Sequence, residues 1–315
     1  MTKKAITNVP DSIRHRLLNK SRETGRPYEE FLKYYAIERF LYRLGNTRQA
    51  ERLILKGGLT LRIWEGAWSR PTMDIDVLAQ LEGGADAVVA MVRECLRLND
   101  TDDGLQFNED HLRIEPIRAK KEIPGIRLLI PATLGTTRIQ VQMDVGFDDE
   151  VLPPPQLLQY PTLLNHPIPQ LRVYPPEALI AEKFQAIVAL DTANTRLKDF
   201  YDIWMLARRR NFQGDLLSQA IRTTFSKRNT DLPQEVPIGL TQIFFDDAIK
   251  AKQWSSFLNQ NRLPETSLKL PEVAETLTLF LLPVTRGAVF SHIWNFQKVV
   301  WEPTPAESPG LKDQC

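Results

Sequence analysis

The chain has 315 residues, enough to bury a substantial core in one large domain or two smaller ones, and its 43% hydrophobic and 25% charged content is that of an ordinary globular protein. A net charge of +1 does not announce a nucleic-acid partner, and the basic clusters Arg14, Arg16, Lys20, Arg22, Arg26 and Arg208-Arg209-Arg210 read first as solvated helix faces or helix ends. Two distant cysteines, Cys95 and Cys315, and four scattered histidines, His15, His111, His166 and His292, exclude a disulfide framework and a Cys/His zinc site.

The start, Met-Thr-Lys-Lys, leads into a polar amphipathic stretch rather than a signal sequence, and the longest apolar runs are too short to span a bilayer. A cytoplasmic, reducing location without membrane contact is expected.

A first helix is predicted over 11–24, with Asp11 as its cap, Ile13, Leu17 and Leu18 at helical spacing, and Gly25-Arg26-Pro27 as its stop. A second spans 28–44, carrying Leu32, Tyr35, Ala36, Ile37, Phe40, Leu41 and Leu44 before Gly45. The apolar run Leu53-Ile54-Leu55 then meets Lys56-Gly57-Gly58, and a short helix is expected from Leu59 to Trp64. Next comes Thr72-Met73-Asp74-Ile75-Asp76-Val77. In a strand, Asp74 and Asp76 share one face while Met73, Ile75 and Val77 face the core.

Gly83-Gly84 precedes a helix over 85–98, and strands follow near 111–117, 126–131 and 137–147. The last alternates cleanly, with Ile139, Val141, Met143 and Val145 on one face and Gln140, Gln142 and Asp144 on the other. Prolines at 153–155, 161, 167, 169, 175 and 176 mark an irregular connection and a domain boundary. Beyond it the chain reads as almost wholly helical, over 176–190, 195–208, 215–227, 240–259 and 271–282, with a loose tail at 302–315.

Several of these residues suit one chemistry. Paired carboxylates repel unless a cation joins them, and hard oxygen ligands suit Mg²⁺ or Mn²⁺, ions that usually also hold substrate phosphates. Glycines after a strand let a phosphate approach the backbone. Lys183 stands within the apolar stripe Leu179, Ile180, Ile187 and Leu190, so it either snorkels to water or meets a negative partner, a phosphate or an aspartate. Asp199 lies at the edge of the next helix's apolar face, within reach of Lys183 or an incoming hydroxyl. Lys198 and Asp202, four apart, read as a surface ion pair. Asp144 is a third carboxylate candidate or a solvent-facing residue. The set fits nucleotidyl transfer, in which metal ions on Asp74, Asp76 and Asp144 bridge a triphosphate and no nucleophilic cysteine or histidine is needed.

Lys56-Gly57-Gly58, Arg70-Pro71-Thr72-Met73-Asp74-Ile75-Asp76, Tyr174-Pro175-Pro176-Glu177 leading to Ala181-Glu182-Lys183, and Arg196-Leu197-Lys198-Asp199-Phe200-Tyr201-Asp202 together resemble the AbiEii/AbiGii toxin family of nucleotidyltransferases. The resemblance implies an α/β (α+β) fold with a mixed sheet flanked by helices, followed by a helical C-terminal domain. The organisation that follows is a nucleotidyltransferase domain at 1–150, a Pro-rich connection at 151–175, a helical domain at 176–300 contributing Lys183 and Asp199, and a tail at 301–315. It also implies a toxin of a toxin–antitoxin or phage-defence system, using Mg²⁺ or Mn²⁺ and an NTP, with an RNA acceptor, tRNA in some relatives, and a cognate antitoxin as partners.

By position, Gly57 and Gly58 match the glycine motif, Asp74 and Asp76 the metal pair, Lys183 the phosphate-contacting lysine and Asp199 a catalytic aspartate. Asp144 matches the third metal carboxylate, and Lys56 and Arg70 fall in the matched nucleotide-binding segments. Leu59 departs from the small hydroxyl residue that many relatives place there. Modification of a protein hydroxyl, or a silent nucleic-acid-binding relative, are the competing readings.

Overall fold

The computed structural model describes residues 8–66, 70–98, 102–117, 125–147 and 151–305. The chain divides into two compact units, Met1–Tyr174 and Pro175–Cys315.

In the first unit, α1 (Val9–Thr24) is capped by Asn8, whose side chain accepts from the Asp11 N–H; Asp11 sits in the first turn rather than at the predicted cap position. Helix α2 (Tyr28–Gly45) follows, then β1 (Leu53–Lys56), a single 3-10 turn at Gly57–Leu59 and α3 (Thr60–Glu65). Strand β2 (Asp74–Ala79), helix α4 (Gly84–Arg97), and strands β3 (Leu105–Phe107), β4 (Arg113–Ile117), β5 (Gly125–Leu134) and β6 (Thr137–Phe147) come next. Strands β7 (Gln156–Gln159) and β8 (Gln170–Val173) complete the unit, within the stretch predicted to be irregular. The prolines lie outside both strands, and four-residue strands are too short to show a countable period.

The sheet runs β3-β5-β6-β2-β1-β8-β7, with β4 also paired to β5. It is mixed: β2 is antiparallel to β1 and parallel to β6, and β1 is parallel to β8. The alternation predicted for 137–147 is realised, with Val141, Met143 and Val145 fully buried. Those side chains join Leu53, Leu55, Ile75 and Val77 in one core with α2 and α4. Asp74 and Asp76, at the alternate positions of β2, therefore face away from that core.

The second unit contains α5 (Pro176–Leu190), α6 (Leu197–Arg209), β9 (Phe212–Gln213), α7 (Gly214–Lys227), α8 (Gln242–Phe245), α9 (Ala248–Gln260), α10 (Leu270–Thr285), β10 (His292–Asn295) and β11 (Val300–Pro303). It is largely helical as expected, with a small sheet ordered β11-β10-β9 that the sequence did not suggest. The helix predicted over 240–259 is broken, because Asp247 accepts from the N–H groups of Ile249 and Lys250 and so starts α9 afresh. Residues 301–303 of the predicted tail are a strand, fixed by Trp301, whose Nε1 donates to the Phe280 carbonyl at 3.0 Å and whose ring stacks on Phe280. Residues 306–315 lie outside the described residues. Among the described residues no helix is long and apolar enough to cross a membrane.

Candidate active site

The predicted functional residues fall into two groups, one in each unit. In the first, β-sheet register does the assembling. Antiparallel pairing sets Lys56 opposite Asp76, and parallel pairing sets Gln142 opposite Asp74 and Asp144 opposite Asp76. Asp74 and Asp76 are both half-buried while Ile75 and Val77 between and beyond them are sealed in the core, as the two-residue period requires.

The glycines explain how tightly the turn packs on this strand. Gly57 has φ +71°, and a Cβ there would overlap the Asp76 carboxylate, lying 2.8 Å from its Cγ. A Cβ on Gly58 would come 2.9 Å from Thr72 Oγ1 and 3.1 Å from Arg70 Nη2. Only glycine gives both the left-handed backbone at 57 and the close approach at both positions. Thr60 Oγ1 donates to the Gly57 carbonyl at 2.8 Å and holds the turn. Arg70 is buried beside it, and Lys56 Nζ lies 5.7 Å from the Tyr174 ring centroid. Leu59 is fully buried in the core, so its departure from the family pattern removes no side chain from the outward face.

Asp144 shares the face of Asp76, and a guanidinium already grips it. Arg127 Nε and Nη2 donate to its two oxygens at 2.8 and 2.7 Å, and Gln142 Nε2 adds a contact at 3.3 Å. The Arg127 pKa is driven upward, first by this hydrogen bonding to Asp144. Among the described residues no three His, Cys, Asp or Glu side chains converge as a metal cluster. Asp74 and Asp76 nevertheless fit a hard cation. They are acceptor-only when ionised, half-exposed, and Asp76 lies against a glycine cradle that any side chain would fill.

In the second unit, Lys183 is buried and meets two negative partners, with Nζ 2.6 Å from Asp199 Oδ1 and 2.8 Å from Asp202 Oδ2. Arg196 Nε lies 2.8 Å from Asp199 Oδ2. The surface pairing predicted for Asp202 with Lys198 is thus corrected: Lys198 is exposed, and Asp202 is fully buried against Lys183. A buried ammonium outcompetes an exposed one four residues away, because leaving it unpaired is far costlier. The segment entering α6 is held by Lys250 Nζ, which donates to the Asn194 carbonyl at 2.6 Å, while Asn194 Oδ1 accepts from the Arg196 N–H at 2.7 Å.

Sequence reasoning missed a buried polar layer on α2. Arg43 bonds both oxygens of Asp103 at 2.7 and 3.0 Å, and the Tyr35 hydroxyl donates to the Asp103 carbonyl at 2.8 Å. Glu38 Oε2 accepts from the Leu163 N–H at 2.7 Å, and burial pushes the Glu38 pKa up to about 8. Tyr34 Oη accepts from the Thr72 N–H at 3.0 Å. The only sequence signal for this layer is charged residues on both faces of a helix whose apolar stripe already wraps most of its circumference.

A family model described as the nucleotidyl transferase AbiEii toxin of type IV toxin–antitoxin systems matches residues 39–279. No curated protein matches the sequence. Among solved structures, the chain is similar to JHP933 from Helicobacter pylori, with 15% identity over 79% of this chain and 89% of that one and a TM-score of 0.45. It is also similar to an H. pylori protein described as a candidate nucleotidyltransferase, with 14% identity, 79% and 92% coverage and a TM-score of 0.46.

Proposed function

Because the chain belongs to the AbiEii nucleotidyltransferase toxin family of type IV toxin–antitoxin systems, we propose that it transfers a nucleoside monophosphate from an NTP to an RNA acceptor, the 3′ end of tRNA, in phage defence. Asp74 and Asp76 would hold Mg²⁺ or Mn²⁺ there, and a cognate antitoxin would restrain the toxin. The observation that carries this reading is the Gly57 turn closed against Asp76 on the outward face of β2. It presents a half-buried carboxylate pair beside glycine backbone, an arrangement suited to holding a metal-bound triphosphate.

A bound metal would neutralise phosphate charge and lower the pKa of the attacking hydroxyl. The chain's own residues do the rest. Lys56, opposite Asp76, and Arg70, beside Gly58, supply positive charge for phosphate oxygens. Asp144 joins a metal only when Arg127 releases it. By the family's pattern Lys183 is the phosphate contact and Asp199 a catalytic aspartate; within the second unit, Asp199 and Asp202 fix the position of the Lys183 ammonium.

The test is to incubate the protein with Mg²⁺, each α-labelled NTP in turn and total tRNA, beside an Asp74→Ala control. Label on tRNA that vanishes in the control is the expected result. Label on protein instead would replace RNA by a protein hydroxyl as the acceptor, and equal labelling by the control would sink the metal assignment.

A further inference from the structure

Three pieces of the first unit must keep a fixed spacing for the outward face to work: the Gly57-Gly58 turn, the helix α3 that continues it, and the residues leading into Asp74. Tyr34 touches the latter two. Its hydroxyl oxygen accepts from the Thr72 N–H at 3.0 Å, two residues before Asp74. Its ring lies under the guanidinium of Arg62, with Cζ 3.8 Å from the ring centroid. Arg62 is on α3, 2% exposed, and Tyr34 is 3% exposed. Thr72 in turn packs under Gly58, since a Cβ at 58 would meet its Oγ1 at 2.9 Å.

A buried tyrosine needs a partner for its hydroxyl, and a buried arginine needs a negative or π surface. Either need could be met anywhere in a core. Here both are met by one ring, and the two partners are the neighbours of the glycine turn and of the first aspartate. Thr72 lies outside the sheet ladder, because β2 begins at Asp74, so its N–H has no strand partner and the Tyr34 hydroxyl takes that place. Tyr34 also lies ahead of the stretch that the family model matches.

We propose that Tyr34 is a positioning residue for the metal pair, using Arg62 beneath the turn and the Thr72 N–H before the strand to set Asp74 and Asp76 against Gly57. This rests on the metal reading of Asp74 and Asp76. Tyr34 reaches no substrate; it acts through the backbone that carries the aspartates. Losing its hydroxyl frees the approach to β2 and removes the side-chain hydrogen bond between Tyr34 and Arg62, while the ring beneath the guanidinium survives.

The experiment uses Tyr34→Phe in the full chain, with Tyr35→Phe as its control. The Tyr35 hydroxyl is also buried, and it is bonded elsewhere, to the Asp103 carbonyl at 2.8 Å and to His166 Nε2 at 3.1 Å. Two readouts are taken besides melting temperature: hydrogen exchange of the Thr72 amide, and Mn²⁺ uptake followed by electron paramagnetic resonance. For Tyr34→Phe, Thr72 exchange should accelerate about tenfold and the Mn²⁺ midpoint should rise about fivefold, the scale of one lost hydrogen bond. Tyr35→Phe should lower the melting temperature comparably and leave both readouts unmoved. An unchanged Mn²⁺ midpoint in Tyr34→Phe, or equal shifts in both variants, overturns the positioning role. Absence of Mn²⁺ uptake by the unsubstituted protein overturns the metal reading beneath it.

Discussion

Asp74 and Asp76 stand half-buried on the outward face of a strand, against a turn that only glycine can make, whereas Asp199 and Asp202 are fully buried on a helix, both bonded to Lys183 Nζ. The side chains are alike and the settings opposite. A half-buried pair stays open to solvent, and its removal should show in ligand binding and turnover. A pair sealed around a lysine is a closed cluster, and breaking it should show first in stability. The contrast also warns against reading every aspartate of a motif as a metal ligand.

The sharpest way to break this comparison is Lys183→Ala. Removal of the ammonium leaves two carboxylates sealed in the second unit, and stability should fall by about 3–5 kcal/mol, measured by urea unfolding. From its helix stripe Lys183 either snorkels to water or meets a negative partner; its two buried carboxylates are that partner. Asp202→Asn should cost less, because Asp199 remains, and Lys198→Ala should cost nothing measurable, since Lys198 is exposed. A Lys183→Ala protein that unfolds at the same urea concentration as the unsubstituted one would refute the closed-cluster description.

The glycines sharpen the other side. Gly57→Ala combines φ +71° with an overlap on the Asp76 carboxylate, and should cost about 1–3 kcal/mol together with most of the transfer activity. Gly25→Ala has nearly the same dihedral, φ +68°, but nothing within 4 Å of the added carbon. It should cost about 1 kcal/mol and leave transfer unchanged. Equal activity in the two variants would separate the turn from the chemistry.

Much of both groups is legible in the sequence alone. The i, i+2 spacing of Asp74 and Asp76, the alternation through Met143 and Val145, and a lysine out of place at 183 each follow from a local period, and each period survives folding. What stays hidden has no local period. Strands β7 to β11 are two to four residues long, so alternation cannot be counted in them. Asp202 obeys a partner 19 positions back rather than one four positions back. The polar layer on α2 is satisfied by groups far along the chain, Asp103 for Arg43 and the Leu163 N–H for Glu38, so its charges look like a solvent face.

Glu38 supplies the mildest test, because it asks whether the closed character of the second unit's cluster has a counterpart in the core of the first. Burial raises its pKa from the ordinary 4.5 to about 8, against the opposing pull of the Leu163 N–H, Arg39 and Arg62 and with a smaller push from Asp103. The folded state therefore holds the proton more tightly than the unfolded chain does. The stability it contributes is fully present below pH 4.5 and is lost as pH rises through about 8, at about 1.4 kcal/mol for each pH unit between the two values. His166, whose pKa is lowered from 6.5 by burial and then by Arg39, works in the opposite sense, adding stability as pH rises toward 6.5. The two partly cancel in the whole protein. Comparison with Glu38→Gln isolates the carboxyl, because glutamine keeps an acceptor for the Leu163 N–H and cannot ionise. Between pH 5 and 8 the melting temperature of the variant should gain steadily on that of the unsubstituted protein. A constant difference across that range would mean that Glu38 is ionised in the fold, and that Arg39 and Arg62 hold it as an ion pair after all.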